Sequence, residues 1–142
     1  MRILVPVDGS VSANRAAAHA LLLAEGRAGT EIILVNVQNQ RTLDTSDISR
    51  VTSVGADTER ADNQSKQFLS EAIRLCRNAQ VTVHTRSEFG PIAETIIRIA
   101  HEVSADQIVM GTRGLGSLHG LVVGSVSAEV LHRARVPVTL VK

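Results

Sequence analysis

The sequence contains little of several residue types that particular functions require. Its single cysteine, Cys76, excludes an intrachain disulfide and a thiolate metal cluster. The aromatic residues are two phenylalanines, Phe68 and Phe89, which argues against the stacking platforms that bind single-stranded nucleic acids. With two lysines, Lys66 and Lys142, and a formal net charge of +1, the chain does not indicate a nucleic-acid or anionic membrane partner.

Long hydrophobic runs are also missing, although 44% of the residues are hydrophobic. No apolar stretch reaches the length that spans a bilayer. The first residues do not show the charged leader and apolar stretch of a secretory signal, so we expect the protein in the cytoplasm. The 142 residues suit one domain, which we assign to residues 1–142.

Short β-branched runs alternate with longer helical patterns along the chain. The predicted strands cover residues 3–7, 31–37, 81–83, 108–110 and 136–141. The predicted helices run from Ser10 to near Gly26, over residues 56–78, from Gly90-Pro91 to about residue 103, and over residues 125–133. Cys76 falls on the apolar stripe of the second helix and is expected to be a packed core thiol. The polar residues 39–55 predict a long mobile loop.

This alternation predicts an α/β fold with five parallel strands, right-handed crossovers and helices on both faces of the sheet. Ligands of such open sheets bind beyond the carboxyl ends of the strands, where the strand order reverses. Two loops at predicted strand ends have unusual compositions. The first is Pro6-Val7-Asp8-Gly9-Ser10, and the second runs from Gly111-Thr112-Arg113-Gly114 to Gly124-Ser125-Val126-Ser127.

The second loop has the composition of an anion site. Glycines permit positive φ angles and let backbone N–H groups approach a phosphate closely. Gly124 and Ser125 stand where the last helix begins, at the positive end of its dipole. The hydroxyls of Ser125 and Ser127 and the charge of Arg113 could add to the site. Asp8 would face it from the first strand, where it suits a ribose hydroxyl or a phosphate-bound Mg²⁺.

A purely structural interpretation is also open on spacing alone. Glycines of this kind make turns in many proteins, and serines and aspartates commonly cap helices. Asp8 could therefore cap the first helix, and Ser125 and Ser127 could stabilise the last one.

At these residues the sequence resembles the universal stress protein family, whose ATP-binding signature is Gly-x₂-Gly, nine residues, then Gly-Ser/Thr. Gly111, Gly114, Gly124 and Ser125 match the signature without a gap. The resemblance extends over the whole chain, from Val5-Pro6-Val7-Asp8-Gly9-Ser10 to the closing Val136-Pro137-Val138. It favours the phosphate site over the purely structural interpretation.

The resemblance implies a sheet ordered 3-2-1-4-5 and a role for each matching residue. Asp8 would contact ribose, Pro6 and Val7 would line the pocket, and the main chain of Val37 would contact the adenine edge. Ribose and phosphates would be held by Met110, Gly111, Arg113 and Gly114, and the phosphate tail by Gly124, Ser125, Val126 and Ser127. The ligand implied is ATP, with Mg²⁺.

The resemblance also implies a homodimer through the last strand, whose apolar edge carries Val136, Val138 and Leu140. One residue departs from the family, which often has histidine where Asn36 stands. Because the expected adenine contact is to the backbone of Val37, we expect little effect on binding.

Other chemistry has weaker support in the sequence. His119 lies in the glycine-rich loop, where a solvated role and an acid–base role are both conceivable, and the other histidines have no metal-ligand spacing. The lysine of a Walker loop is absent near the glycines, as is the glycine fingerprint of dinucleotide sites after the first strand. We therefore expect a nucleotide-dependent stress-response module with no catalytic residue. The alternatives are a slow Mg²⁺-dependent ATPase, and a protein that binds cyclic AMP, or no nucleotide, and works through protein partners.

Overall fold

The structure, a computed structural model, describes residues 1–39, 54–76, 81–114 and 123–142, and for residues 54–61 it describes the backbone alone. Strands and helices alternate along the chain. Their order is β1 (Arg2–Pro6), α1 (Val11–Ala24), β2 (Glu31–Gln38), α2 (Val54–Cys76), β3 (Thr82–Phe89), α3 (Ile92–Glu102), β4 (Gln107–Gly111), α4 (Ser125–Arg133) and β5 (Val138–Val141).

The five strands form one parallel sheet in the order β3-β2-β1-β4-β5. The chain moves from β1 to β2 on one side and later crosses to β4 on the other, so the order reverses beside β1. The ladder between β1 and β2 continues to Pro6 and Val35, whereas the ladder between β1 and β4 ends at Leu4 and Ile108. A crevice beyond these two strands is the expected result.

Each face of the sheet is covered by a pair of helices. One apolar cluster joins Val5 and Leu34 of the sheet to Ala17 of α1 and Leu69 of α2. The cluster on the opposite face joins further strand residues to Ile99 of α3 and Val130 of α4. Because the strands β1, β2 and β4 are buried on both faces, they are nearly continuous apolar runs, whereas the edge strand β3 is largely polar and exposed. The predicted fold class and strand order are confirmed.

Individual boundaries differ from the prediction where neighbours decide them. β3 extends to Phe89 instead of ending at Val83, because its polar residues pair with β2 along eight positions. β5 begins at Val138 rather than Val136, since Pro137 has no N–H to donate to a ladder. The predicted loop at 39–55 lies mostly outside the described residues, and its last two positions belong to α2.

Two further points follow from the described residues. Cys76 is 4% exposed within the cluster under α1 and α2, so the expected core thiol is confirmed. Burial raises the pKa of this thiol above its ordinary value, which keeps it protonated. None of the helices described is long and apolar enough to cross a membrane.

Candidate functional site

A pocket of about 350 Å³ opens at the carboxyl ends of β1, β2 and β4. This volume lies within the range of small-molecule sites. All twelve residues predicted for the site line it, and the structure adds four that the sequence did not indicate. The lining residues are Pro6, Val7, Asp8, Ala13, Val35, Val37, Ile92, Ile96, Met110, Gly111, Arg113, Gly114, Gly124, Ser125, Val126 and Ser127.

One part of the pocket wall is apolar. Val35 and Val37 come from β2, Met110 from β4, and Ile92 and Ile96 from the first two turns of α3. Four of these side chains belong to the apolar cluster between the sheet and α3, and Ile92 packs against it. The α3 residues were missed because their helical period predicts burial against the sheet but not which part of the face remains open to a ligand.

The turn after β1 is built around Asp8 and Ser10. The Ser10 N–H donates to Asp8 Oδ1 at 3.0 Å, and Ser10 Oγ accepts from the Ala13 N–H at 3.2 Å as the N-cap of α1. The capping role that the sequence left open for Asp8 therefore belongs to Ser10. Asp8 supports the turn and also lines the pocket. A Cβ on Gly114 would collide with its carboxylate, so Asp8 lies directly against the glycine-rich loop.

Gly111 and Gly114 of that loop are needed for close approach rather than for positive φ. None of Gly111, Gly114 and Gly124 has a positive φ, which corrects the conformational reason expected for them. A Cβ on Gly111 would lie 2.8 Å from the Ser12 carbonyl carbon and 2.9 Å from the Ala13 nitrogen. Gly111 therefore lets α1 pack tightly on the end of β4.

The two loops are also joined by hydrogen bonds that the sequence did not indicate. The hydroxyl of Ser12 donates to the main-chain carbonyl of Arg113, and Ser10 Oγ lies 3.4 Å from the same oxygen. The first turn of α1 thus holds the glycine-rich loop by its backbone. The sequence signal for this link was the pair Ser10 and Ser12 at the start of α1. It could not identify the partner, because Arg113 is about a hundred residues away in sequence.

The N-terminus of α4 completes the pocket. Gly124 is the N-cap, with φ −73° and ψ 160°, and its N–H donates to the Thr112 carbonyl at 2.7 Å. Being glycine, it provides no side chain to cap the N–H groups of the first turn. Ser125, Val126 and Ser127 of this turn all line the pocket.

Ser127 differs from expectation in one respect. Its side chain is buried, and its hydroxyl donates to the carbonyl of Gly111 at 2.9 Å. Because a hydroxyl has one proton, Ser127 Oγ does not offer that proton to a phosphate in this arrangement. What Ser127 can still donate to a ligand is its backbone N–H, which lies in the first turn of α4.

The described lining residues include two ionisable side chains, Asp8 and Arg113. Several other charged side chains form ion pairs outside the pocket. On β3 and α3, Arg86 contacts Glu88 at 2.6 Å and Glu102 at 2.8 Å. The hydrogen bond from Arg86 holds the pKa of Glu88 below its usual value, so this cluster stays charged at neutral pH.

In the described part of the chain, no three His, Cys, Asp or Glu side chains come together to form a metal site. A metal carried by phosphates would need fewer protein ligands, because Mg²⁺ keeps several waters and uses one or two carboxylates. Asp8 is a carboxylate in the pocket that fits this requirement. His119, the candidate acid–base residue, lies outside the described residues.

Known proteins are similar to this chain in sequence and fold. The profile of the universal stress protein family matches residues 1–142. A protein of Staphylococcus aureus (strain USA300) that is named as a universal stress protein is 33% identical over 142 residues, covering 99% of this chain and 82% of its own length.

Solved structures of universal stress proteins have the same fold as this chain. Universal stress protein UspA from Lactobacillus plantarum superposes with a TM-score of 0.83 at 26% identity, covering 100% of this chain and 97% of its own. The universal stress protein from Archaeoglobus fulgidus, in complex with dAMP, has a TM-score of 0.73 at 25% identity, with coverages of 100% and 98%.

Proposed function

Because the chain belongs to the universal stress protein family, we propose that its pocket binds ATP and that it acts as a nucleotide-dependent regulatory module of the stress response. The observation that carries the proposal is the junction of an apolar pocket wall with the N-terminus of α4, whose cap is Gly124. A helix N-terminus without a side-chain cap suits a phosphate. The dAMP complex of the Archaeoglobus fulgidus relative supports an adenine nucleotide as the class of ligand.

The proposed orientation follows from the polarity of the lining. The adenine base lies against the apolar side chains, where the main chain of Val37 contacts its edge. Pro6 and Val7 line the pocket, and Asp8 accepts a hydrogen bond from the ribose. The loop residues Met110, Gly111, Arg113 and Gly114 surround ribose and phosphates, while the first turn of α4 donates to the phosphate tail. Mg²⁺ would be held mainly by the phosphates and water.

Calorimetric titration tests the proposal. Wild type should bind ATP with a Kd of roughly micromolar order and more tightly than AMP, cyclic AMP or GTP. The Gly124→Val variant should lose about 100-fold or more in ATP affinity, because a branched side chain would occupy the phosphate position. A wild type that binds none of the four nucleotides would refute the proposal.

Gly124→Ala is the matched control for this titration. Among the described residues, the nearest neighbour of a Cβ at this position would be the Thr112 carbonyl oxygen at 3.5 Å, which is an ordinary contact. The alanine variant should therefore fold as wild type does and retain most of its ATP affinity. Equal ATP affinity in wild type and the valine variant would place the phosphates elsewhere.

We also propose a homodimer through the edge strand β5. The strand pairs with β4 on one side and is the end of the described sheet, and Val136, Val138 and Leu140 are only partly buried within the chain. Covering such an edge with a second copy removes an aggregation hazard. In sedimentation velocity, wild type should have the mass of two chains and Val136→Glu that of one.

Leu131→Glu is the control for the dimer, because Leu131 is an exposed apolar residue on α4 rather than at the β5 edge. It should remain dimeric. A monomeric wild type, or dissociation of both variants alike, would contradict the β5 interface.

A further inference from the structure

Asp8 stands between two residues that α2 holds in place. The contact with Gly9 is direct: Gly9 has a φ of +81°, and the ring of Phe68 occupies the space that a Cβ there would need. The contact with Val7 passes through the side chain of Asn36, the residue at which this chain departs from its family. The two residues beside Asp8, which is predicted to bind the ribose, are therefore both positioned by contacts from α2.

Asn36 is 2% exposed, and both the oxygen and the nitrogen of its amide are hydrogen-bonded. Its Nδ2 donates to the Val7 carbonyl at 2.6 Å, and its Oδ1 accepts from the hydroxyl of Ser65 and from Gln38 Nε2, the latter at 3.2 Å. Ser65, 1% exposed on α2, in turn accepts from Gln38 at 3.1 Å and from the Ser87 hydroxyl at 2.9 Å. The donors and acceptors leave one consistent orientation of the amide.

This orientation has a mechanical consequence for β1. The Val7 N–H already donates to the Val35 carbonyl at 2.8 Å, so the Asn36 amide fixes the other polar group of the same residue. Buried hydrogen bonds of this kind are costly to leave unpaired, because the carbonyl has no water to replace the lost donor. The backbone that leads into Asp8 is thus held from both sides.

We propose that Asn36 is a positioning residue for sugar recognition. Its hydrogen bond to the Val7 carbonyl fixes the backbone that positions the Asp8 carboxylate. Its hydrogen bond with Ser65 connects this part of β1 to α2. The inference rests on the proposed binding of ATP with Asp8 at the ribose. It concerns a residue that does not itself line the pocket. Its signature is a change in sugar selectivity, which a general loss of stability would not produce.

The test compares the affinities of ATP, 2′-deoxy-ATP and 3′-deoxy-ATP by calorimetry. Wild type should prefer ATP over the deoxynucleotide lacking the Asp8-bound hydroxyl by about tenfold, the effect of one charge-assisted hydrogen bond. Asn36→Ala should reduce that preference to about twofold, mainly by weakening ATP. Affinity for the deoxynucleotide should change little, since that ligand makes no use of Asp8.

Two further variants keep the test decisive. Ser65→Ala removes the α2 hydroxyl but leaves the amide of Asn36, so it should reduce the preference in the same direction by a smaller factor, even if Asn36→Ala does not fold. Ser87→Ala is the matched control, because it leaves the backbone pairing of Ser87 opposite Asn36 in place and removes only a hydroxyl that donates to Ser65. It should lower the melting temperature and leave the preference unchanged.

The outcomes separate this inference from the proposed function. No ATP binding by wild type would refute the function itself. If wild type binds ATP but does not distinguish it from either deoxynucleotide, ATP binding stands and the sugar contact of Asp8 fails. Equal weakening of all three nucleotides in Asn36→Ala would reduce Asn36 to a structural residue and overturn the inference.

Discussion

Three helices, α1, α3 and α4, begin at the pocket, and the N-termini of α1 and α4 are completed in different ways. At α1, Ser10 Oγ accepts from the Ala13 N–H, and Asp8 accepts from the Ser10 N–H in the preceding turn. At α4 the N-cap is Gly124, which has no side chain to do the same. The first N-terminus is stabilised by its own sequence, whereas the second is the one we propose to be completed by a phosphate.

The glycines of the second loop also differ in this way, one having a structural role and the other a proposed binding role. Gly111 serves packing, because a Cβ there would run into the backbone of Ser12 and Ala13. Gly124 has room for a Cβ among the residues that the structure describes, so packing against them does not explain its presence. An open helix start is the property that glycine provides at position 124 and that serine or aspartate would remove.

The largest expected effect comes from giving α4 the kind of cap that α1 has. In Gly124→Asp, the new carboxylate can accept from the first-turn N–H groups and interact with the helix dipole. The free energy of unfolding should rise by a few tenths to about 1 kcal/mol. ATP affinity should fall by about 100-fold or more, since the carboxylate both occupies and repels the phosphate position. Urea denaturation and calorimetry measure the two changes.

A rise in stability together with a fall in ATP affinity would show that the N-terminus of α4 binds the ligand. A helix N-terminus with a purely structural role would gain stability without losing affinity. Gly124→Asn is the control, because it offers a similar cap without the charge and should lower ATP affinity less. A destabilised Gly124→Asp protein, or one that binds ATP as wild type does, would show that the difference between the two helix starts does not concern anions.

The sequence predicted more of the site's location than of its construction. Residues from Pro6 to Asp8 and both ends of the glycine-rich loop were identified from the composition of the two loops, and Val37 from the family resemblance. All line one pocket because parallel strands bring their carboxyl ends to one edge. Their roles toward a nucleotide remain predictions. Ala13, Val35 and Ile96 were missed, since they are ordinary core residues until the packing of α1 and α3 leaves part of them open.

Hydrogen bonds between distant residues were equally beyond prediction. The link from Ser12 to the Arg113 carbonyl and the link from Asn36 to Val7 join residues far apart in sequence. Asn36 was noted only as a departure from the family and was expected to matter little. Its amide is polar and buried in a strand of apolar residues, and such a group needs partners that only the folded sheet supplies.

The smallest expected effect comes from removing the cap that α1 already has. Ser10→Ala leaves the Ala13 N–H without its side-chain acceptor and should lower the free energy of unfolding by about 1 kcal/mol. ATP affinity should change by no more than about threefold, because Ser12 still holds the Arg113 carbonyl and α4 is untouched. Ser10→Thr, which keeps a hydroxyl, should stay near wild type in urea denaturation. If Ser10→Ala instead abolished ATP binding while remaining folded, α1 would be a binding terminus as well, and the contrast with α4 would be lost.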